Sequence, residues 1–181
     1  MTTQMLKPRL MLVATMILAA AASRLLPHPP NMTSVTAVAL FGGACLSDRR
    51  LAFLVPLAAL FLSDLALGFH DQMALVYGCF ALIVCIGLWL QQRRSALTIA
   101  GAALASSVLF FVVTNFGVWA LDNMYPRTFA GLIACYTAAL PFFRNTLEGD
   151  LLYTLVLFGG FALLERQFPA LRIETAEPLT A

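Results

Sequence analysis

The chain has 181 residues, of which 61% are hydrophobic and 11% charged, and its mean hydropathy is +0.86. This balance is far from that of a soluble domain and is typical of a polytopic membrane protein. The net charge of +2 comes with no basic stripe that would indicate a nucleic-acid partner. The four cysteines, at positions 45, 79, 85 and 135, show no CxxC or zinc-ligand spacing, so neither a disulfide framework nor a structural zinc site is indicated.

The first apolar stretch, Met1–Leu26, predicts an initial membrane span that begins with the basic residues Lys7 and Arg9. A short apolar core followed by the small residues of Ala20–Ser23 also fits a cleavable secretory signal. We favour an uncleaved span because the segments that follow are also membrane-embedded. A proline-rich loop at 27–31 then ends the helix.

Further apolar segments predict a bundle of six membrane-spanning helices. Val35–Cys45 is short for a span, so it must be tilted or partly sheltered. The other spans are predicted at Leu51–Leu67, Asp71–Leu90, about 97–121 and Asn145–Leu164. Thr128–Leu140 is apolar but stops at Pro141, and it predicts a short extra helix at the outer surface. The fold class is therefore an all-α membrane protein, with one integral domain over residues 1–166 and a polar cytoplasmic tail over 167–181.

The distribution of basic residues predicts the orientation of these spans. With the N-terminus inside, the basic residues in cytoplasmic segments are Lys7, Arg9, Arg49, Arg50, Arg93, Arg94, Arg166 and Arg172. The outer side then has Arg24, Arg127 and Arg144. Because cytoplasmic loops are enriched in Lys and Arg, this asymmetry predicts that both termini are cytoplasmic. It indicates a multi-pass protein of the cytoplasmic (inner) membrane.

Polar residues of the predicted spans gather on the outer side. They are Asp64, Asn115, Arg144, Asn145, Glu148 and Asp150, with His28 and His70 in outer loops. Polar side chains within hydrocarbon are costly unless they are partnered or face water, so the cluster predicts a pocket that opens outward. A channel would need polar residues through the whole depth and a proton relay would need carboxylates near the midplane, and neither pattern is found.

Structural alternatives stay open for several of these residues. Arg144 and Glu148 are spaced i,i+4 and would neutralise each other on one helix face. Asp64 would serve equally well as a partner for a neighbouring helix. His28, flanked by prolines, is also typical of an exposed loop residue.

Cys79 lies in the fourth predicted span, roughly 10 Å below its outer end at about 1.5 Å per residue. Buried thiols are commonly inert small hydrophobes, which is the structural alternative here. A bound metal would instead deprotonate the thiol, and thiolate is an axial ligand of macrocyclic iron. Cys85 would lie about 9 Å deeper and roughly 240° away around the helix, so the two cannot easily chelate one ion. A metal at Cys79 would therefore be one already held in a macrocycle.

Several runs of the chain resemble the substrate-binding S components of energy-coupling-factor vitamin transporters. They are RLLPHPPN (24–31), ALFGGA (39–44), FLVPLAALFLSDLALGFH (53–70), TNFGVW (114–119), CYTAALPFFRNTLEGDLLY (135–153) and VLFG (156–159). The cysteine of VYGCF makes the chain similar specifically to BtuM-type cobalamin S components. The resemblance implies a six-helix fold, a vitamin pocket near the extracytoplasmic face, and Cys79 as axial ligand to the cobalt of a corrinoid whose own base is displaced. It implies His28, Asp64 and Tyr77 as pocket neighbours, to which the polar cluster adds Asn115 and Arg144.

The sequence thus predicts a protein that captures cobalamin from the extracytoplasmic side and mediates its uptake. The family also implies an energy-coupling module, a transmembrane subunit plus ATPases, as partner. The docking motif of small residues departs from the family pattern, since Ala14 is followed at the fourth position by Leu18 and only Ala19 and Ser23 approximate it. A protein that acts alone is therefore an open alternative. The absence of GxxxxGK[ST] argues against ATP hydrolysis by the chain itself.

Three further hypotheses remain from the sequence. Thiolate attack by Cys79 on the upper ligand of cyanocobalamin would make the protein a decyanating enzyme as well as a transporter. An S component for another vitamin or precursor would leave Cys79 incidental. A membrane enzyme or assembly factor would use Asp64, Glu148 and Asp150 as its functional carboxylates.

Overall fold

The computed structural model describes residues 6–172 as a bundle of helices, with no strand among these residues. The helices are α1 (Leu6–Ala22), α2 (Val35–Cys45), α3 (Arg49–Leu67), α4 (Met73–Leu90), α5 (Ala96–Leu121), α6 (Phe129–Thr154) and α7 (Gly160–Gln167). Short 3-10 turns follow α1 at Ser23–Leu25 and α7 at Pro169–Leu171, and a π-helical segment, Leu155–Gly159, joins α6 to α7. Residues 1–5 of the first predicted span and 173–181 of the predicted tail lie outside the described residues.

Five stretches of helix are long and apolar enough to cross a membrane. They are Pro8–Leu25, Arg49–Leu67, Met73–Leu90, Ala96–Leu121 and Phe129–Gln167. Many leucine and phenylalanine side chains on these helices are exposed at the surface of the bundle, as expected for helices that face lipid. The chain is therefore an all-helical, multi-pass membrane protein, as its composition predicts.

Helix α2 is the short apolar segment at the centre of the bundle. All of its eleven residues are buried, and it packs against α1, α3, α4, α5 and α6. At about 1.5 Å per residue it is only about 16 Å long, roughly half the thickness of the hydrocarbon core. The prediction that this segment needs shelter is confirmed, because its neighbours cover it on every side.

The closest approach in the core is the crossing of α2 and α4 at Gly43 and Gly87. A Cβ at Gly43 would collide with the carbonyl oxygen of Val84 and lie 2.9 Å from the Cα of Gly87. A Cβ at Gly87 would likewise lie 2.8 Å from the Cα of Gly43. Small residues at such a crossing allow two helix backbones to touch, which is the usual packing device of membrane helices.

The short outer helix predicted at Thr128–Leu140 is wrong. Thr128 caps a helix that begins at Phe129, and its hydroxyl accepts a hydrogen bond from the Gly131 amide at 3.2 Å. That helix continues through Pro141 and the π-helical segment, so the predicted short helix and last span form one 39-residue stretch. A proline removes only one backbone hydrogen bond, and membrane helices tolerate the loss when the other residues keep theirs.

The described structure continues past residue 166, where the sequence analysis places the boundary between domain and tail. After Gln167 the turn Pro169–Leu171 folds back onto α1, and the Leu171 carbonyl accepts a hydrogen bond of 2.7 Å from Arg9 Nη1. Leu171 itself is buried. A buried guanidinium needs acceptors, and this turn supplies one of them. The folded unit therefore extends at least to Arg172.

The helices alternate in direction between two ends of the bundle, which we call the Arg9 end and the Arg24 end after the arginines at the two ends of α1. Hydrogen bonds join Arg9 to the last residue of α2 and Arg24 to the last part of α3, as the alternation requires. Seven arginines lie at the Arg9 end: Arg9, Arg49, Arg50, Arg93, Arg94, Arg166 and Arg172. Arg24, Arg127 and Arg144 lie at the Arg24 end.

Candidate functional site at the Arg24 end

A buried ionic network joins three helical elements at the Arg24 end. Arg24 Nη1 donates to Asp64 Oδ1 at 2.7 Å and also to the Ser63 hydroxyl. The Tyr77 hydroxyl donates to the other oxygen, Asp64 Oδ2, at 2.9 Å. The network thus ties the turn after α1 to α3 and α4, and it leaves neither oxygen of the carboxylate without a partner.

This network joins two of the predicted site residues, Asp64 and Tyr77, by a direct hydrogen bond, and adds Arg24, which the sequence analysis did not include among the site residues. Arg24 was placed on the same side as Asp64 by the charge pattern, and that shared position was the signal for their pairing. The charges of Arg24 and Asp64 cancel, while Arg24 Nε is buried and has no acceptor among the described residues. Asp64 therefore serves as a partner for neighbouring helical elements, which is the structural role that the sequence analysis gives as the alternative to ligand binding.

The Cys79 thiol lies in the part of α4 nearer to the Arg24 end and is 1% exposed. Among the described residues its side chain makes no hydrogen bond, and it belongs to the buried face of α4 with Phe80 and Ile83. Residues two apart on a helix point roughly 200° apart, so Cys79 leaves α4 on nearly the opposite side from Tyr77. The ionic network and the thiol are therefore separate features of the structure.

No group of three or more His, Cys, Asp or Glu side chains within residues 6–172 is arranged to hold a metal ion. Cys79 offers one sulfur, and Cys85 is exposed elsewhere on the same helix, in agreement with its predicted rotation. Four protein ligands are usual for a structural zinc site. What Cys79 can supply is a single thiolate to a metal that other ligands already hold.

A small cavity of about 80 Å³ lies between α5 and α6 at the Arg24 end. Its lining consists of Asn31, Phe110, Phe111, Thr114, Asn115, Ala139, Phe142, Phe143 and Thr146. The Asn115 amide donates to the Phe111 carbonyl oxygen at 2.8 Å. Phe110 also packs against Phe80, the neighbour of Cys79, with 5.8 Å between ring centroids. One aromatic side chain thus separates the cavity from the part of α4 that carries the thiol.

The two remaining predicted residues lie at the surface. His28 is exposed, and its Nδ1 lies 2.7 Å from the Leu26 carbonyl oxygen in the same loop. Arg144 Nε donates to Glu148 at 2.8 Å on the exposed side of α6. Neither residue contacts the ionic network or the thiol through a hydrogen bond. His28 is thus an exposed loop residue and Arg144 is neutralised by Glu148, as the structural alternatives in the sequence analysis predict.

Residues 4–171 match a family described as a family of unknown function, DUF6580. The chain belongs to this family. The match extends from the start of α1 through the turn that follows α7, so it covers the whole helical bundle of this DUF6580 protein. No curated protein and no solved structure matches the chain.

Asp150, which the sequence analysis places in the outer polar cluster, is a buried carboxyl group near the end of the 26-residue helix α6. The adjacent Gly149 packs closely against Met32, in the loop before α2 at the Arg24 end. The Ser107 hydroxyl, near the middle of α5, donates to Asp150 Oδ2 at 2.5 Å.

The three carboxylates of the predicted enzyme alternative do not form one site. Asp64 binds Arg24, Glu148 binds Arg144 on the surface, and Asp150 binds a serine inside the bundle. General acid and base groups must reach the same substrate atoms, which requires that they converge. In this DUF6580 protein each of the three instead has a partner of its own.

Proposed function

We propose that this DUF6580 protein captures a corrinoid, cobalamin, at the Arg24 end of the bundle and mediates its uptake across the cytoplasmic membrane. The orientation follows from the arginines, since the basic Arg9 end would face the cytoplasm. Both described chain ends, at residues 6 and 172, lie at that end. This arrangement supports an N-in, C-in protein whose Arg24 end meets ligands from outside.

The observation that carries the proposal is the lone, buried Cys79 thiol. It makes no hydrogen bond among the described residues and has no companion ligand, so it is suited to one axial position of a metal held in a macrocycle. The resemblance of the chain to cobalamin S components supplies the identity of that macrocycle. The corrinoid would bind with its own base displaced, so that the sulfur takes the vacated position.

Capture requires the helices to open, because the present arrangement is closed around Cys79. The nearby cavity of about 80 Å³ is well below the roughly 300 Å³ at which small-molecule sites usually begin. In this proposal Phe110 of α5 moves away from Phe80 of α4 as these two helices separate. The π-helical segment Leu155–Gly159 supports such a motion, since π-bulges within α-helices are frequently found at functional sites.

Absorption spectroscopy tests cobalt ligation directly. The purified protein, mixed with cobinamide or cyanocobalamin, is expected to shift the corrinoid bands, and Cys79→Ala should abolish the shift. Cys85→Ala is the matched control, because it removes an exposed thiol from the same helix and should leave the shift unchanged. Bands that do not move, or that move equally in Cys79→Ala, would refute the assignment. The same spectra follow the cyanide ligand, and its retention over hours would contradict decyanation.

A second candidate is uptake of a different small molecule, with Cys79 a packing residue. It is favoured by the position of Asn115, which lines a cavity at the Arg24 end to which Cys79 does not contribute. Mass spectrometry of molecules that copurify with the protein distinguishes the two. A corrinoid that is lost in Cys79→Ala supports the first candidate, whereas another ligand that is lost in Asn115→Ala and kept in Cys79→Ala supports the second.

The energy-coupling module belongs to the proposal as a partner. Ala19 is exposed and lines an apolar groove of about 300 Å³ together with Met16, Ala20, Ser23, Tyr153, Val156 and Leu157. The Ser23 hydroxyl lies 2.7 Å from the Tyr153 hydroxyl, which fixes one side of that groove. A transmembrane subunit that docks here should be lost on Ala19→Leu, while the corrinoid spectrum of the isolated protein should not change. Full uptake by the chain expressed without any module would instead support a protein that acts alone.

A further inference from the structure

A large open cavity of about 880 Å³ lies at the Arg9 end, between the ends of α1, α2, α4 and α7. Its lining consists of Arg9, Ala44, Cys45, Leu46, Ser47, Gln91, Gln92, Arg94, Ala162, Glu165, Arg166 and Arg172. This volume falls in the range of roughly 300–1,000 Å³ that is usual for ligand sites. The cavity is at the opposite end of the bundle from Cys79, so it is independent of the proposed capture of cobalamin.

Arg9 forms the buried wall of this cavity and is only 4% exposed. Its Nε donates to the Cys45 carbonyl oxygen at 3.2 Å, and its Nη1 donates to Glu165 and to the Leu171 carbonyl oxygen. The guanidinium also lies over the Phe161 ring, 4.8 Å from the ring centroid. Its Nη2 is buried and has no acceptor among the described residues. A buried donor without an acceptor is costly, and the negative charge of a ligand in the cavity would offset part of that cost.

The cavity holds more positive charge than the described residues neutralise. Four arginines line it, against the single carboxylate of Glu165, which is already paired with Arg9. The other three, Arg94, Arg166 and Arg172, form no ion pair with the described residues. Membrane proteins collect arginines on the cytoplasmic side, but that rule does not account for a guanidinium that is buried against an open cavity.

The walls of the cavity are held in place by hydrogen bonds. Gln91 Nε2 donates to the carbonyl oxygens of Gly43 and Leu46, at 3.0 and 2.8 Å, and so joins the end of α4 to the end of α2. Arg172 donates to the carbonyl oxygens of Glu165 and Arg166 at the end of α7, at 2.9 and 3.0 Å. A rigid rim lowers the entropy that a ligand would otherwise have to offset on binding.

We infer that this cavity binds the phosphate group of an anionic ligand, with Arg94 and Arg166 as the groups that contact it and the buried charge of Arg9 behind them. Guanidinium groups match phosphate oxygens in geometry and charge. A purely apolar groove of about 290 Å³, lined by Pro8, Leu12, Leu164, Phe168, Ala170 and Leu171, lies on the other side of the Pro169–Leu171 turn. That neighbour favours a phospholipid headgroup as the source of the phosphate, since basic pockets between membrane helices bind anionic headgroups.

The test compares lipid and free phosphate on the full-length protein. In phosphatidylcholine nanodiscs, added phosphatidylglycerol is expected to raise the thermal unfolding midpoint, and native mass spectrometry should retain bound phosphatidylglycerol in preference to phosphatidylcholine. The double variant Arg94→Gln/Arg166→Gln should weaken binding by at least about tenfold, because the loss of a single charge-assisted hydrogen bond already contributes about that factor. Arg49→Gln/Arg93→Gln is the matched control, since it removes the same charge from the same end outside the cavity and should change binding less than about twofold.

Each outcome of this experiment either supports the inference or overturns it. Protection by phosphatidylglycerol that is lost only in the cavity variant supports a lipid headgroup site. Protection by inorganic phosphate in phosphatidylcholine alone, with the same dependence on Arg94 and Arg166, supports a soluble phosphate ligand at the same place. The inference is overturned if neither probe binds, or if the control pair weakens binding as much as the cavity pair does, because the effect would then be one of surface charge.

Discussion

An arginine lies at each end of α1, fully buried at Arg9 and largely buried at Arg24, but the surroundings of the two differ. Arg24 meets Asp64, whose second oxygen accepts a hydrogen bond from Tyr77, so the charges there cancel within one compact network. Arg9 meets Glu165 beside a cavity that three more arginines line. The comparison teaches that a buried guanidinium with a matched charge locks helices together, whereas one with surplus charge around it leaves a donor for a ligand.

The largest effect is expected from Asp64→Ala, which should lower the free energy of unfolding by about 3–5 kcal/mol, because Arg24 would stay buried without its counter-charge. The side chains of Asp64 and Arg24 are 3% and 15% exposed, so solvent screens the pair little. Unfolding of the protein in mixed micelles, followed by circular dichroism, measures the loss. The double variant Arg24→Leu/Asp64→Leu should recover most of it, and a double variant as unstable as Asp64→Ala would show that the ion pair is not the cause.

At the other end, Glu165→Gln should cost less, about 1–3 kcal/mol, because Arg9 keeps its two backbone acceptors. The Glu165 side chain is also 26% exposed, so part of its interaction with Arg9 is screened by solvent. The same unfolding measurement applies. A loss as large as that of Asp64→Ala would remove the contrast between the two ends.

Tyr77→Phe is expected to have a smaller effect, about 0.5–1.5 kcal/mol, because it removes one hydrogen bond to Asp64 and leaves the ring in place. Tyr125→Phe, in the loop after α5, is the control and should leave the unfolding transition unchanged. If the two substitutions behave alike, the hydroxyl of Tyr77 does not support the Arg24 network.

The smallest effect is expected for Glu148→Ala, which should leave the unfolding transition almost unchanged, because the pair that it breaks is solvated. The Arg144 and Glu148 side chains are 82% and 50% exposed. This ion pair lies at the same end of the bundle as the pair of Arg24 and Asp64. A comparison of the two pairs therefore separates the influence of burial on stability from that of position. A loss above that of Tyr77→Phe would indicate a role for the pair beyond local neutralisation.

Most of the helices could be predicted from the sequence, because uninterrupted apolar runs report directly on the solvent that surrounds them. The main wrong prediction concerns Pro141. In water a proline usually ends a helix, and the sequence analysis therefore ends one there, whereas α6 continues through Pro141 to Thr154.

The candidate site was predicted only in part. Asp64 and Tyr77 were both named and are in contact, but Arg24 completes their network, and its pairing depends on which helices are neighbours. That information is tertiary and is absent from local patterns. The different directions of the Cys79 and Tyr77 side chains, by contrast, follow from helix geometry alone. Side chains two residues apart on a helix lie on nearly opposite sides, so these two cannot both face one pocket.

The burial of α2 on all sides has a consequence for how the chain is made. A helix of about 16 Å cannot bridge the hydrocarbon by itself, so the translocation machinery has no stable way to release it into lipid before its neighbours arrive. We expect α1 and α3 to be inserted as a pair with α2 held between them. The glycine crossing with α4 would then close the centre of the protein as a late step of biogenesis.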